Sequence, residues 1–203
     1  AWDKSHAAEL NSVTKGRYDA RIKALGQKLK NRKAQTYVLF NPMPELPLNS
    51  FPWQMKAPQT YIAAFQHFSK TLKKEAPNAQ IIYAAAGYPG SMEYYPGPEF
   101  TNGCAIVLNL SAEKDLPAYP TPKNLKDELK RKLHRLRFAQ QPCLVLAQNL
   151  NLEADELSAL RTEVQAAFES LEASKLATNI ATPREALPQH FNLGLYDPQA
   201  MLL

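Results

Sequence analysis

Residues 104–110 read CAIVLNL, and residues 80–86 read QIIYAAA. Both runs are short, apolar at nearly every position, and bounded by polar or turn-forming residues. That is how a strand buried on both faces of a sheet reads. Residues 36–40 (TYVLF) and 143–148 (CLVLAQ) have the same character. What lies between these runs decides the fold. Residues 58–75 carry Tyr61, Phe65, Phe68 and Leu72 on one helical stripe, with Pro58 at a favoured first-turn position. Residues 122–138 carry Leu125, Leu129, Leu133 and Leu136 on another. Helices that separate apolar strands are crossover connections, and crossovers build a parallel sheet.

The alternation extends outward in both directions. Residues 16–31 place Tyr18, Ile22, Leu25 and Leu29 on one stripe. Residues 153–173 place Leu157, Leu160, Val164, Phe168 and Leu171 inward, and residues 176–181 (LATNIA) read as a last strand. The expected fold class is α/β, with about five parallel strands and flanking helices. The strands 36–40, 80–86, 104–110 and 143–148 should be adjacent in that order. No break in composition divides residues 1–203, which read as a single domain.

Composition narrows the function classes. The chain is 45% hydrophobic and 21% charged, so it can bury a full core without staples. The two cysteines, Cys104 and Cys143, are too few for a disulfide framework or a four-ligand zinc site. Both begin strands that should be neighbours, and they read as buried thiols. The four histidines are scattered, so neither metal nor cofactor is expected. No apolar run approaches the roughly 20 residues of a membrane-spanning helix. The chain opens at Ala1-Trp2 rather than at Met; removal of a secretion signal is one origin of such a start, so a secreted or periplasmic setting is expected.

The net charge of +5 is unevenly spread. Residues 15–33 carry Lys15, Arg17, Arg21, Lys23, Lys28, Lys30, Arg32 and Lys33 against Asp19. Residues 123–137 carry Lys123, Lys126, Lys130, Arg131, Lys132, Arg135 and Arg137 against Asp127 and Glu128, while residues 150–203 are acidic on balance. Such stripes are either solvated outer faces of helices or contact surfaces for an anionic partner. No aromatic residues are interleaved with the bases and no RNA-binding fingerprint is present, so nucleic acid is not expected as the partner.

In parallel sheets the chemistry sits at the carboxyl ends of the strands. The loops to examine are therefore 41–53, 87–100, 109–115, 148–151 and 179–184. The first two are rich in aromatic residues and proline. Trp53, Tyr94 and Tyr95, with Asn109, are candidate carbohydrate-binding residues, since pyranose rings present apolar faces that stack on aromatic rings. The alternative is that these rings cover the sheet end as ordinary packing. No nucleophile elbow is present, and Gly87-Tyr88-Pro89-Gly90 is not a phosphate loop because no Lys-Ser/Thr follows it.

The order of motifs resembles glycoside hydrolase family 26, the endo-mannanases and related β-glycanases built on a (β/α)8 barrel. Gly16-Arg17-Tyr18-Asp19 matches that family's G-R-Y-D. Phe40–Trp53 falls where the family reads F-G-H-E-M-N-G-x-W-Y-P-W. Tyr94-Tyr95-Pro96-Gly97 leads into a strand as the family's Y-Y-P-G does, and Gln141–Gln148 falls where it reads K-P-x-M-I-A-E. The resemblance covers residues 16–198 and implies a partial or degenerate (β/α)8 fold, since a complete barrel usually needs about 250 residues.

The resemblance also implies what is missing. A retaining glycosidase uses two carboxylates about 5–5.5 Å apart. Here the acid/base position falls on Met43 and the nucleophile position on Gln148. Met cannot protonate a leaving oxygen, and Gln cannot form a glycosyl ester. Three expectations follow. The first is a non-catalytic, glycosidase-derived accessory or scaffold subunit of a larger assembly. It would have a protein partner against the uncovered inner face or the edge of the sheet, and an anionic contact through the bases of 15–33 and 123–137. The second is a non-cleaving carbohydrate-binding module for a polysaccharide. The third is an active β-glycanase with relocated carboxylates drawn from Glu45, Glu93 and Glu99.

Overall fold

The structure is a computed structural model, and it describes residues 10–32, 36–47, 53–109, 125–139, 141, 143–148 and 193–195, with helical positions at 155, 158–159, 162 and 166. Its helices are α1 (Leu10–Thr14), α2 (Asp19–Lys30), α3 (Pro58–Glu75) and α4 (Leu125–Leu136). The strands are β1 (Tyr37–Leu39), β2 (Gln80–Ala85), β3 (Gly103–Asn109), β4 (Cys143–Gln148) and β5 (Leu193–Leu195). Single 3-10 turns occupy Ser91–Tyr94, Pro98–Phe100 and Arg137–Ala139.

The sheet is parallel throughout, in the order β1-β2-β3-β4-β5. Its register pairs Val38 with Ile81, Tyr83 with Cys104, and Cys104 with Cys143. Strand alternation then sorts the side chains onto two faces. One face carries Val38, Ile81, Tyr83, Ala85, Cys104, Ile106, Cys143 and Val145, and packs on the stripes of α3 and α4 through Tyr61, Phe65, Phe68, Leu72, Leu129 and Leu136. Phe40, just beyond β1, stacks on Phe68 at 4.8 Å and meets Phe65 edge-on at 5.6 Å. Each such ring contributes about 1.5–3 kcal/mol through burial alone.

The other face carries Leu39, Ile82, Ala84, Ala105, Val107, Leu144 and Leu146, with Met43, Leu46 and Tyr88 folded over it. An open five-stranded sheet would leave this face in water, and the expectation from sequence is that a partner chain covers this face or the sheet's edge. The structure corrects that premise at the sheet's centre: Ile82, Ala84, Ala105 and Val107 are all buried within the single chain. In this order β1 and β5 are the two edge strands, and on β1 Tyr37 is exposed.

Helices α2 and α3 lie side by side and point the same way. Asp19, at the start of α2, meets His67 in the middle of α3 at 2.7 Å, and Gly26, further along α2, lies against Glu75 at the end of α3. Gly16, at φ +79, turns the chain between α1 and α2 and delays α2 to Asp19. The five residues of α1 precede the first helix that the apolar periodicity reveals; its Leu10 and Val13 are buried in the core. The expected strand at 176–181 lies outside the described residues, and the fifth strand is Leu193–Leu195. In the expected helix 153–173, Asp155, Ser158, Ala159, Thr162 and Ala166 are helical and exposed, which is the face opposite its apolar stripe. No helix among the described residues is long and apolar enough to cross a membrane.

Candidate functional site

The carboxyl end of the sheet is organised around the loop that leaves β1. Asn41 and Met43, on either side of Pro42, both adopt left-handed backbone conformations, with φ of 42° and 56°. Non-glycine residues hold such angles only where the surroundings enforce them. Here the enforcement is visible. The Tyr61 hydroxyl lies 3.0 Å from the carbonyl oxygens of both Phe40 and Asn41. Trp53 Nε1 donates to the Pro42 carbonyl at 2.8 Å, and the Met43 N–H donates to the Ala84 carbonyl at 2.8 Å. The loop is thereby fastened to α3, to the 53–57 turn and to the end of β2.

Glu45 makes the fourth fastening. Its Oε1 accepts the N–H of Gly87 at 2.8 Å and of Tyr88 at 3.3 Å, so it bridges the loops after β1 and β2. The side chain is buried, with the residue only 4% exposed, and Oε2 has no hydrogen-bond partner among the described residues. Burial pushes the carboxyl above its ordinary value. The N–H groups of Glu45, Gly87 and Tyr88 and the Lys132 ammonium pull the other way without winning. Lys132 is itself buried, 3.2 Å from Glu128 Oε1 and 5.0 Å above the Tyr88 ring, while Arg135 donates to the Gly87 carbonyl at 2.7 Å. The corner at Gly87 is held at its N–H by Glu45 and at its carbonyl by Arg135.

The sequence reading places Lys132 and Arg135 in a basic stripe that is either a solvated outer face or an anionic contact surface. The signal was present: Leu129, position 132 and Leu136 repeat the spacing of the α3 stripe. Lys132 therefore occupies a core-facing position and is buried, while Leu133 is only half-buried. A cation on an apolar stripe is the pattern that marks a buried ionic contact.

The other candidate residues are dispersed. Met43 is 1% exposed and packs in the apolar cluster with Ile82, Ala84 and Tyr88. Asn109 and Gln148 are register partners at the carboxyl ends of β3 and β4; their side chains lie outside the described residues. Glu93 and Glu99 are exposed and sit on separate 3-10 turns, whereas Glu45 is buried. Trp53 and Tyr94 are buried on the helix-covered face: Tyr94 meets Tyr61 edge-on at 5.7 Å and donates to the Lys56 carbonyl. Tyr95 is half-buried against Tyr83 at 5.7 Å. Little ring face is left on these residues for a sugar. No group of three or more His, Cys, Asp or Glu side chains among the described residues is arranged to hold a metal ion.

The fold and this site define an α/β protein whose parallel sheet carries a buried, doubly hydrogen-bonded carboxyl at its carboxyl end. The chain matches no protein-family model and no curated protein.

Proposed function

We propose that this chain is a glycoside-hydrolase-like protein without the retaining chemistry, serving as an accessory or scaffold subunit. The observation that carries this reading is Met43. The resemblance sets it at the family's acid/base position, and the residue is buried in an apolar cluster where a carboxylate would be desolvated and unpaired. The sequential strand order, with parallel α2 and α3, is the order a (β/α)8 barrel uses, which supports descent from a partial or degenerate barrel. The position of β1 at the sheet's edge, with Tyr37 exposed, supports a protein partner, because an edge strand left uncovered offers a row of unpaired backbone groups.

Incubation with mannan and mixed-linkage β-glucan, read as new reducing ends, tests the loss of chemistry. No product above buffer is expected. Light scattering on the native protein tests the scaffold role, with an assembly larger than one chain as the expected result. A cooperative monomer overturns that role.

One observation favours the relocated-carboxylate reading: at the carboxyl end of the sheet burial raises the Glu45 carboxyl, and its Oε2 has no hydrogen-bond partner among the described residues. Its burial keeps a substrate out unless the loop opens. Reducing ends that appear with the parent and vanish with Glu45→Gln decide for this alternative.

A further inference from the structure

The structure separates two basic segments that look alike in sequence. On α4, Lys132 is buried beside Glu128 and Arg135 is spent on the Gly87 carbonyl. On α2 and its flanks, Lys15, Arg17, Arg21, Lys23, Lys28, Lys30 and Arg32 are all exposed, and none forms an ion pair with a described residue. The acid of this segment, Asp19, is turned to His67 on α3.

The α2 cations are also ordered. Ile22, Gly26 and Leu29 bury one side of the helix. At about 100° per residue, Arg21 and Lys28 fall on one flank of the exposed side and Lys23 and Lys30 on the other. Between these two rows runs a ridge of Ala20, Ala24 and Gln27, all exposed. Within each row the two charges are seven residues apart, a rise of about 10 Å. The helix thus presents a convex ridge of uncharged side chains, two of them alanines, with cations along both flanks.

We propose that this face of α2 binds a linear acidic polysaccharide of the polyuronate type. An extended polyuronate carries one carboxylate per ring, and successive carboxylates project to alternate sides of the chain. Laid along the ridge, such a chain meets both rows at once. Other anionic partners fit less well. A bilayer-binding helix inserts bulky apolar side chains, and those of α2 face the core. A protein partner is anchored by aromatic or aliphatic hot spots, and among the described residues the exposed large hydrophobic ones, Tyr37, Met55 and Phe138, all lie off α2. Single-stranded nucleic acid needs stacking rings, and the exposed face of α2 has none. The proposal stands independently of the sheet's carboxyl end and of the assignment made there.

The test uses polygalacturonate as probe, with its carboxyl-reduced neutral form as control, measured by calorimetry. Three double variants each remove two exposed cations: Arg21→Gln with Lys28→Gln, Lys23→Gln with Lys30→Gln, and, off this face, Lys56→Gln with Lys70→Gln. Circular dichroism melting confirms that all three fold as the parent does. The parent should bind polygalacturonate and not the neutral form, and binding should weaken as salt rises. Each row variant should lose affinity on the order of tenfold, from two exposed charge contacts. The variant off this face should lose less than about twofold, since its charges lie beyond direct contact. Equal losses in all three variants would reduce the effect to net charge and overturn the proposal. So would absence of binding, or phosphatidylserine vesicles or duplex DNA binding as tightly as polygalacturonate with the same dependence on the rows.

Discussion

Glu45 Oε1 accepts the Gly87 N–H at 2.8 Å across a sequence separation of 42 residues, and this one contact ties the end of β1 to the end of β2. It is made by a carboxyl that burial pushes above its ordinary value. A carboxyl raised in the folded state contributes its stability fully below the unfolded value and loses it as pH climbs through the folded value. Glu45→Gln keeps an acceptor for Gly87 and Tyr88 and cannot ionise. The variant should therefore be more stable than the parent at pH about 8, with the difference shrinking toward pH about 4. Urea midpoints at the two pH values measure it. A variant less stable than the parent at the higher pH would mean that the fold favours the ionised form.

Gly87 is irreplaceable for two separate reasons. Its φ is +79, and a Cβ there would lie 2.6 Å from Lys132 Cβ. Gly87→Ala should cost about 3 kcal/mol or more, combining left-handed strain with overpacking. Gly90 has a similar φ of +87, but a Cβ there meets nothing closer than 3.7 Å. Gly90→Ala should cost only the conformational share, about 1–2 kcal/mol. Guanidinium unfolding of the two variants separates strain from collision; equal costs would show that α4 gives way at Lys132.

The elements with strong periodicity were legible. The bounds of α3 are those its apolar stripe and Pro58 predict, and β2, β3 and β4 fall within a residue of their apolar runs. The site was less legible, because its geometry depends on pairings distant in sequence. Nothing local to Glu45 reveals that Gly87 and Tyr88 will supply its donors. Nothing local to Trp53 or Tyr94 distinguishes a stacking ring from a packed one until α3 and the 53–57 turn close over them. Apolar patterning reports which face is buried, and carries no information on which polar groups meet across loops. Lys132 was the exception, readable from its place on the α4 stripe.

Gly26 illustrates a contact that helix propensity alone misjudges. In an isolated helix Gly26→Ala would gain about 1 kcal/mol. Here the added Cβ would sit 2.4 Å from Glu75 Cβ and 3.5 Å from Leu72 Cδ1, in the contact between α2 and α3. Overpacking of that kind costs about 1–3 kcal/mol, so the net effect should be destabilising. A raised melting temperature in Gly26→Ala would show that α2 can slide away from α3 without loss, which a closely packed helix pair does not permit.

Cys104 and Cys143 are register partners on β3 and β4, both buried and both free. A thiol reacts as its thiolate, and the surroundings oppose that form. Burial pushes Cys143 up to about 12, and raises Cys104 well above its ordinary value with the neighbouring Cys143 adding to the effect. At pH about 8 a thiol with a pKa near 12 is ionised about once in ten thousand molecules. An aromatic disulfide reagent at that pH should therefore label neither cysteine in the folded protein and both after unfolding in guanidinium. Labelling under native conditions should follow the opening of the β3–β4 pair, so Gly87→Ala, which weakens the packing of α4 over these strands, should label faster than the parent. Rapid labelling of the folded parent would mean that the amino ends of β3 and β4 are open to solvent, and the buried register that places the two thiols side by side would not hold.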